Sequence, residues 1–379
     1  MSDKLDKTAS TETDKPKKKW LKRILLILLI LLLVITLGIG FYIWRIGNTW
    51  DTQTQKFDDK SMSDVQGDLD RLKKAAEEGK IEKPVAAGEP VKATDASGNE
   101  VEIPAPGVHD VKDSEGTDIL LLGSDQRFNG ETDSSGARAD TIMVMHVPKD
   151  GHGVYLISIM RDSWVNIPGF GAAKINAALN WGGIALQIQT VEQVLGVKMD
   201  HVAEIDFNGF KALTNAVGGV DVNVTRPFTT STGVWTFTQG VNHMDGAQAL
   251  AFVRERYVFG DGDYQRVRNQ RSYLQGLVNT MKAKGALSNI VEFQKAVESL
   301  SPYMTVDSGL NAGEIVNIAR PVISKGVTDM HMMTLPNAGP GWSYNGQSII
   351  VVDDTAVNEL SEALRSDSMQ SYSPTSGYS

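Results

Sequence analysis

The sequence predicts a layered α/β fold, and three observations carry that expectation. Apolar runs at 118–123, 141–147 and 154–160 are short and bounded by Gly, Asp or Pro, as buried strands are. Helical patterns follow at about 174–196 and 207–217, so strands and helices interleave rather than segregate. The chain has 379 residues and no cysteine, and its length beyond the first 50 residues suffices to bury a core without disulfides.

The elements follow in order. Residues 24–44 carry no charge and are mostly Leu and Ile. At ~1.5 Å per residue such a helix reaches ~30 Å, the thickness of a hydrocarbon core. Trp20, Tyr42 and Trp44 stand at its ends as interfacial aromatics. Lys15, Lys17, Lys18, Lys19, Lys22 and Arg23 precede it, and Asp51, Asp58, Asp59 and Asp64 follow it. The positive-inside rule then makes 1–23 a cytoplasmic basic tail, 24–44 an uncleaved transmembrane helix and the remainder extracytoplasmic. Residues 45–116 read as stalk and linker, amphipathic and helical over 51–80, then rich in Pro, Gly and Ala with room for short strands. The folded domain is expected over 117–365. Within it a strand is predicted at 219–224, and helices at about 245–253, 263–284, 287–299, 309–320 and 355–366. Late strands are predicted at 331–335 and 347–352. Residues 366–379, rich in Ser, Tyr, Pro and Gly, read as a disordered tail.

Composition and motifs exclude several functions. The chain carries −9, of which the first 50 residues contribute +5, so the part beyond them stands at −14 and is a poor match for nucleic acid. Without cysteine there is no thiol nucleophile. No Walker A, HExxH or GxSxG is present, and the six histidines are scattered.

Arginine is the informative residue. Arg254, Arg256, Arg266, Arg268 and Arg271 crowd into one short stretch. Arg254 and Arg256 are two apart, which on an extended backbone aims both at one face. Asp263, Arg266 and Gln270 share one face of the helix that follows. Guanidinium forks bind phosphate oxygens bidentately and stay charged, so a convergent set suits a pyrophosphate. A solvated helix with surface ion pairs explains this segment equally well taken alone, since Glu255, Asp261 and Asp263 lie among the arginines. Strand ends tip the balance. Asp125 and Arg127 follow one apolar run, Arg138 and Asp140 precede another, and Arg161-Asp162 follows a third. Carboxylates at such ends commonly line the ligand crevice, and two of them suffice for one Mg²⁺ shared with phosphate.

At these residues the sequence resembles the LytR-CpsA-Psr family of bacterial cell-wall proteins. The resemblance covers about 117–285 and rests on Ile119 to Arg127, Arg138-Ala-Asp140-Thr, Ser158-Ile-Met-Arg161-Asp162, Lys174-Ile-Asn176 with Gly182-Gly183, Gly218-Gly-Val-Asp221, Asp245 to Arg256, and Asp263 to Gln270. It implies an αβα sandwich with a central mixed sheet and an apolar channel for a polyprenyl lipid. The implied activity is a Mg²⁺-assisted phosphotransferase that moves a glycopolymer from a polyprenyl-pyrophosphate carrier to peptidoglycan, at the outer face of a Gram-positive cell membrane. Carried over by position, Asp125 and Asp140 hold the metal. Arg138, Arg161, Arg254, Arg256, Arg266 and Gln270 surround the pyrophosphate, and Arg161, Arg254 and Asp263 serve the reaction. Met160 stands where the family usually has Pro, and Asn269 where it often has Arg. The alternatives are a polyprenyl-pyrophosphate hydrolase and a non-catalytic anchored polymer-binding protein.

Overall fold

The computed structural model describes residues 44–57, 91–94, 100–103, 105–124, 139–283, 301–325, 330–343 and 346–373. In chain order its strands are β1 (Gln55–Lys56), β2 (Val91–Thr94), β3 (Glu100–Ile103), β4 (Thr117–Ser124), β5 (Ala139–Val147), β6 (Val154–Ile159), β7 (Ser163–Ile167), β8 (Gly171–Lys174) and β9 (His201–Asp206). Then come β10 (Val220–Val224), β11 (Phe228–Thr229), β12 (Thr236–Phe237), β13 (Gly240–Met244), β14 (Met304–Val306), β15 (Met330–Thr334), β16 (Asn337–Trp342) and β17 (Ser348–Val352). The helices used below are α1 (Asn176–Leu195), α2 (Phe207–Ala216), α3 (Gly246–Arg254), α4 (Asp263–Ala283), α5 (Ala312–Ser324) and α6 (Asp354–Arg365).

Seven strands form the central sheet in the order β1-β14-β9-β4-β5-β6-β15. It is mixed: β4 runs parallel to β9 and antiparallel to β5, and β6 is antiparallel to β5 and parallel to β15. β4 reads as an unbroken apolar run because both of its faces are covered. Leu120 and Leu122 join Val144, Ile157 and Val202 in the main core, packed against Leu179 and Leu186 of α1 and Leu360 of α6. Leu121, Met143 and Ile205 point the opposite way, toward α2, α3 and α4, as the two-residue period of a strand requires.

Two smaller modules flank the sheet. β16-β17-β7-β8 form a four-stranded sheet whose β7 begins directly after Arg161-Asp162. The pair β10–β13 and the pair β11–β12 enclose a second core with α3 and α4, rich in Phe228, Phe237, Phe252 and Phe259.

The predicted helices over 174–196, 207–217, 245–253 and 263–284 are present as α1 to α4 within a residue or two. α1 is broken at Gly182 and at Gly183, whose φ of 64° and ψ of −157° only glycine adopts readily. The expectations for Arg254 and Arg256 on one extended strand are corrected: Arg254 is the last helical residue of α3, and extended backbone begins at Glu255.

Two expectations at the ends of the domain also change. The helix read over 51–80 is corrected at its start: residues 44–53 are helical, and then β1 pairs with β14 at the sheet edge, while 58–80 lie outside the described residues. Trp50 is buried beside Val306 and Leu310, and Phe57 enters the main core. Burial of two large aromatics outweighs the weak amphipathic helix of that stretch. At the other end the tail expected to be disordered from Ser366 is docked as far as Ser373. Met369 is buried, Tyr372 packs on the main core, and Asp367 accepts from the backbone of Lys149 and meets His146. Residues 105–116 also lie on the domain, with His109 bonded to the backbone of Gln193 and Gly107 to Asp354. The predicted membrane span at 24–44 lies, apart from Trp44, outside the described residues. Among the described residues no helix is long and apolar enough to cross a membrane.

Candidate active site

The site is built at one end of β4, β5 and β6. Gly123 pairs with Thr141 but Ser124 pairs with Ala139, so Asp140 is the extra residue of a β-bulge. Bulges re-aim side chains. The Asp140 carboxylate accepts a hydrogen bond at 2.8 Å from Nη1 of Arg161, which sits in the tight turn between β6 and β7. Arg161 also lies 3.7 Å from Asp162, and Lys174 at the end of β8 holds Asp162 from the other side at 3.1 Å.

Three groups arrive from the helices. Arg254, the last residue of α3, is half exposed, 4.0 Å from Asp140 Oδ2, with its guanidinium 4.2 Å over the Phe207 ring. Arg266 on α4 is buried, 4.0 Å from Asp140 Oδ1 and ion-paired with Asp263 one turn earlier. Gln270 donates to the Thr141 hydroxyl at 3.0 Å, which locks α4 to β5. The face read from the spacing of Asp263, Arg266 and Gln270 is therefore the face turned into the site.

Electrostatics follows from burial. Beyond its pair with Arg266, neither Asp263 oxygen accepts a hydrogen bond. Burial raises the Asp263 carboxyl above its ordinary range, opposed by the Arg266 charge. Burial also lowers the proton affinity of Arg266, opposed by Asp263. Arg161 Nε and Arg266 Nε are both buried without a hydrogen-bond partner, a costly state that an incoming anion relieves.

Behind this cluster a cavity of about 260 Å³ runs between the sheet and α2, α3 and α4. Its walls are apolar, with Leu121, Met143, Ile205, Phe210, Leu250 and Tyr273 among them, while Asp140, Arg254, Arg266 and Gln270 close one end. A greasy tunnel thus opens onto guanidinium forks, which suits an apolar chain carrying an anionic head.

Of the nine residues singled out from the sequence, six are brought together: Asp140, Arg161, Arg254, Asp263, Arg266 and Gln270. Arg256 is not joined to them, since it donates to the Tyr257 hydroxyl at 2.8 Å and lies over that ring. Asp125 and Arg138 lie outside the described residues. Sequence reasoning named Thr141, Asp162 and Lys174 only as members of motifs and gave them no role, and it missed Phe207, for which only proximity to a strand end was a signal. The two departures from the family pattern are accommodated by packing. Met160 is buried against Val267 of α4 and Ile350, and Asn269 is buried between Gln265 and the Phe252 carbonyl.

The fold and site define a mixed α/β protein whose apolar cavity ends in an arginine–carboxylate cluster. The LytR_cpsA_psr family model matches residues 71–366, and the chain belongs to that family. It is similar to the probable cell wall biosynthesis protein LcpB of Corynebacterium glutamicum, with 33% identity over 265 residues that cover 67% of this chain and 62% of the relative. The chain thus spans less than two thirds of that relative's length. It is also similar to a polyisoprenyl-teichoic acid–peptidoglycan teichoic acid transferase TagU of Enterococcus faecalis, 33% identical over 251 residues, covering 65% of this chain and 78% of the relative. Among solved structures, Bacillus subtilis TagV aligns with a TM-score of 0.56 and 25% identity, covering 69% of this chain and 100% of that one. The family protein YwtF (TagT) with bound octaprenyl pyrophosphate lipid aligns at 0.50 and 23%, covering 66% and 89%, and shares the fold.

Proposed function

We propose that this chain is a transferase that moves a glycopolymer from a polyprenyl-pyrophosphate carrier to a hydroxyl of peptidoglycan, outside the cell membrane. The observation that carries the reading is the apolar cavity ending at Asp140, Arg254, Arg266 and Gln270. The name of the Enterococcus relative, a teichoic acid transferase acting from a polyisoprenyl carrier, supports it. So does the Corynebacterium relative's place in cell wall biosynthesis. The anchor read at 24–44 keeps the domain beside its lipid donor, with 1–23 on the cytoplasmic side.

The polyprenyl chain fills the cavity and its pyrophosphate meets the arginines. The acceptor hydroxyl attacks the sugar-linked phosphorus, a new P–O bond forms, and the bond to the bridging oxygen breaks. That oxygen leaves with polyprenyl phosphate, and the hydroxyl proton passes to Asp263, which burial makes a stronger base. Arg161 and Arg266 each carry a buried guanidinium Nε without a hydrogen-bond partner, and these donors neutralise charge as it shifts to the leaving oxygen. Asp140 spends Oδ1 on Arg161, and its Oδ2 lies 4.0 Å from Arg254 Nη2 without accepting a close hydrogen bond there. One hard oxygen fits a share in a Mg²⁺ ion that also takes phosphate and water. Asp140, with Asp125, would hold that ion, and bound there it supplies further neutralisation of the diphosphate.

Incubating the full chain with a labelled lipid-linked donor, with and without peptidoglycan, tests the proposal. Peptidoglycan-dependent release of polyprenyl phosphate is expected, and Arg161→Ala and Arg254→Ala should each lower it on the order of a hundredfold. Release that ignores peptidoglycan would make water the acceptor. Unchanged rates in both variants would remove the site.

A further inference from the structure

The loop that follows Arg254 presents an apolar tip with no cover among the described residues. Tyr257 is 75% exposed, Val258 39%, and Val234, at the turn between β11 and β12, 66%. These side chains belong to two segments far apart in sequence, and Glu255 joins them. Its buried carboxylate accepts from the backbone N–H and the hydroxyl of Ser231 on one side. On the other it accepts from the backbone N–H of Arg256 and of Tyr257. Four donors on one carboxylate make a rigid clamp, so the Val234 turn and the Tyr257-Val258 loop move as one body. The turn itself is closed by bonds from Thr230 to the Trp235 carbonyl and from Gly233 to the Thr230 carbonyl.

We propose that this tip is a membrane-docking surface, seated in the interface of an anionic phospholipid bilayer, and that it sets the cavity mouth against the leaflet carrying the donor. The proposal rests on the lipid-borne donor proposed above for the occupant's identity.

Three features favour lipid over a protein partner. The exposed apolar area is a few side chains on a knob, whereas a stable protein interface needs ~800 Å² per partner. A bilayer rewards each inserted apolar side chain separately. Arg256 sits 4.6 Å over the Tyr257 ring and donates to its hydroxyl, pairing a cation with an interfacial aromatic. No carboxylate lies within ion-pair distance of Arg256 among the described residues, while the nearby Asp261 is taken by Arg226 and Arg268. With the Glu255 carboxylate buried in the clamp, Arg256 is the charge that the tip presents to a surface, and a cation there suits anionic headgroups. Its position is also apt, since Arg256 lies two residues beyond Arg254 at the mouth.

The chain has no cysteine, so single-cysteine labelling is clean. Val234→Cys, Val258→Cys and, as an exposed control elsewhere, Val108→Cys are each labelled with a polarity-sensitive fluorophore in the full chain. Each is then reconstituted in phosphatidylglycerol-containing nanodiscs with nitroxide-labelled lipid. The expected result is a blue-shifted emission and several-fold stronger lipid quenching at 234 and 258 than at 108. Equal quenching at all three positions overturns the proposal. A blue shift at 234 without lipid quenching also overturns it, because a protein or a second copy then covers the tip. Neither readout depends on transferase activity, so the docking and the reaction fail separately.

Discussion

Glu204 is a buried carboxyl that the proposed chemistry does not use. It lies in β9, accepts a hydrogen bond from Ser124, and leaves its Oε2 without a partner. Burial, reinforced by Asp206, pushes its pKa up to about 7. The folded state then holds a proton that the unfolded chain releases near 4.5, so it binds more protons across that window. Stability contributed here is complete below the unfolded value and is lost as pH rises through the folded one. The loss amounts to on the order of 3 kcal/mol. Glu204→Gln should remove most of this slope, which denaturant unfolding of both proteins at about pH 5 and about pH 7.5 checks. An identical slope in the variant would assign the dependence to other groups. Asp140 and Arg161 were legible as charge at the ends of apolar runs, and Arg254, Asp263, Arg266 and Gln270 as an arginine-rich stretch with helical spacing. Glu204 was not, and neither were Thr141 or Phe207. Their roles depend on register between strands and on which ring a helix end lies over, and no local pattern records either.

Among the elements, α4 delivers the most to the site, and one glycine allows it to lie where it does. A Cβ on Gly276 would come within 2.5 Å of the Asp221 carbonyl of β10 and 3.1 Å of Val220. Backbone does not yield as a side chain does, so α4 would lift away and take Asp263, Arg266 and Gln270 with it. Gly276→Ala should therefore cost about 2 kcal/mol despite the ~1 kcal/mol gained in helix propensity. Transfer by the remaining folded protein should fall further still, since ~1 Å of misplacement costs on the order of a hundredfold. Thermal unfolding beside single-turnover rates separates the two effects. The helices were legible from their 3.6-residue period, and the buried strands β4 to β6 from run length. β7, β8 and β16 escaped notice. They are short and rich in Gly, or broken by polar residues, and they are strands because β17 and the turn at Arg161 supply partners.

At the scale of the whole molecule, residues 49–57, read from the sequence as stalk, are part of the domain. Trp50 donates its indole N–H to the Leu310 carbonyl at 3.2 Å, and β1 lies against β14. Deleting residues 1–43 should leave thermal stability unchanged. Deleting 1–57 also removes Trp50, β1 and Phe57 and should lower Tm by about 10 °C or more. Equal melting temperatures for both truncations would show that the segment adds nothing. This contact was illegible because its partner strand lies some 250 residues away. The docked C-terminal segment was hidden in the same manner by a composition that reads as disorder.

The cavity has one further consequence. In the proposed reaction its apolar walls meet only the hydrocarbon tail, and the tail is the same before and after the phosphoryl group moves. Contacts made equally with donor, transition state and leaving product tighten binding without lowering the chemical barrier. On the proposed reaction, the spent carrier would keep its hold on the apolar lining, Leu121, Phe210 and Tyr273 included, after the acceptor has gone. Turnover should then be paced by egress of polyprenyl phosphate, as product release paces many enzymes. Rapid mixing should show a burst of modified acceptor, about one per enzyme, followed by a slower steady phase. Shortening the prenyl tail should speed that second phase and leave the burst rate alone.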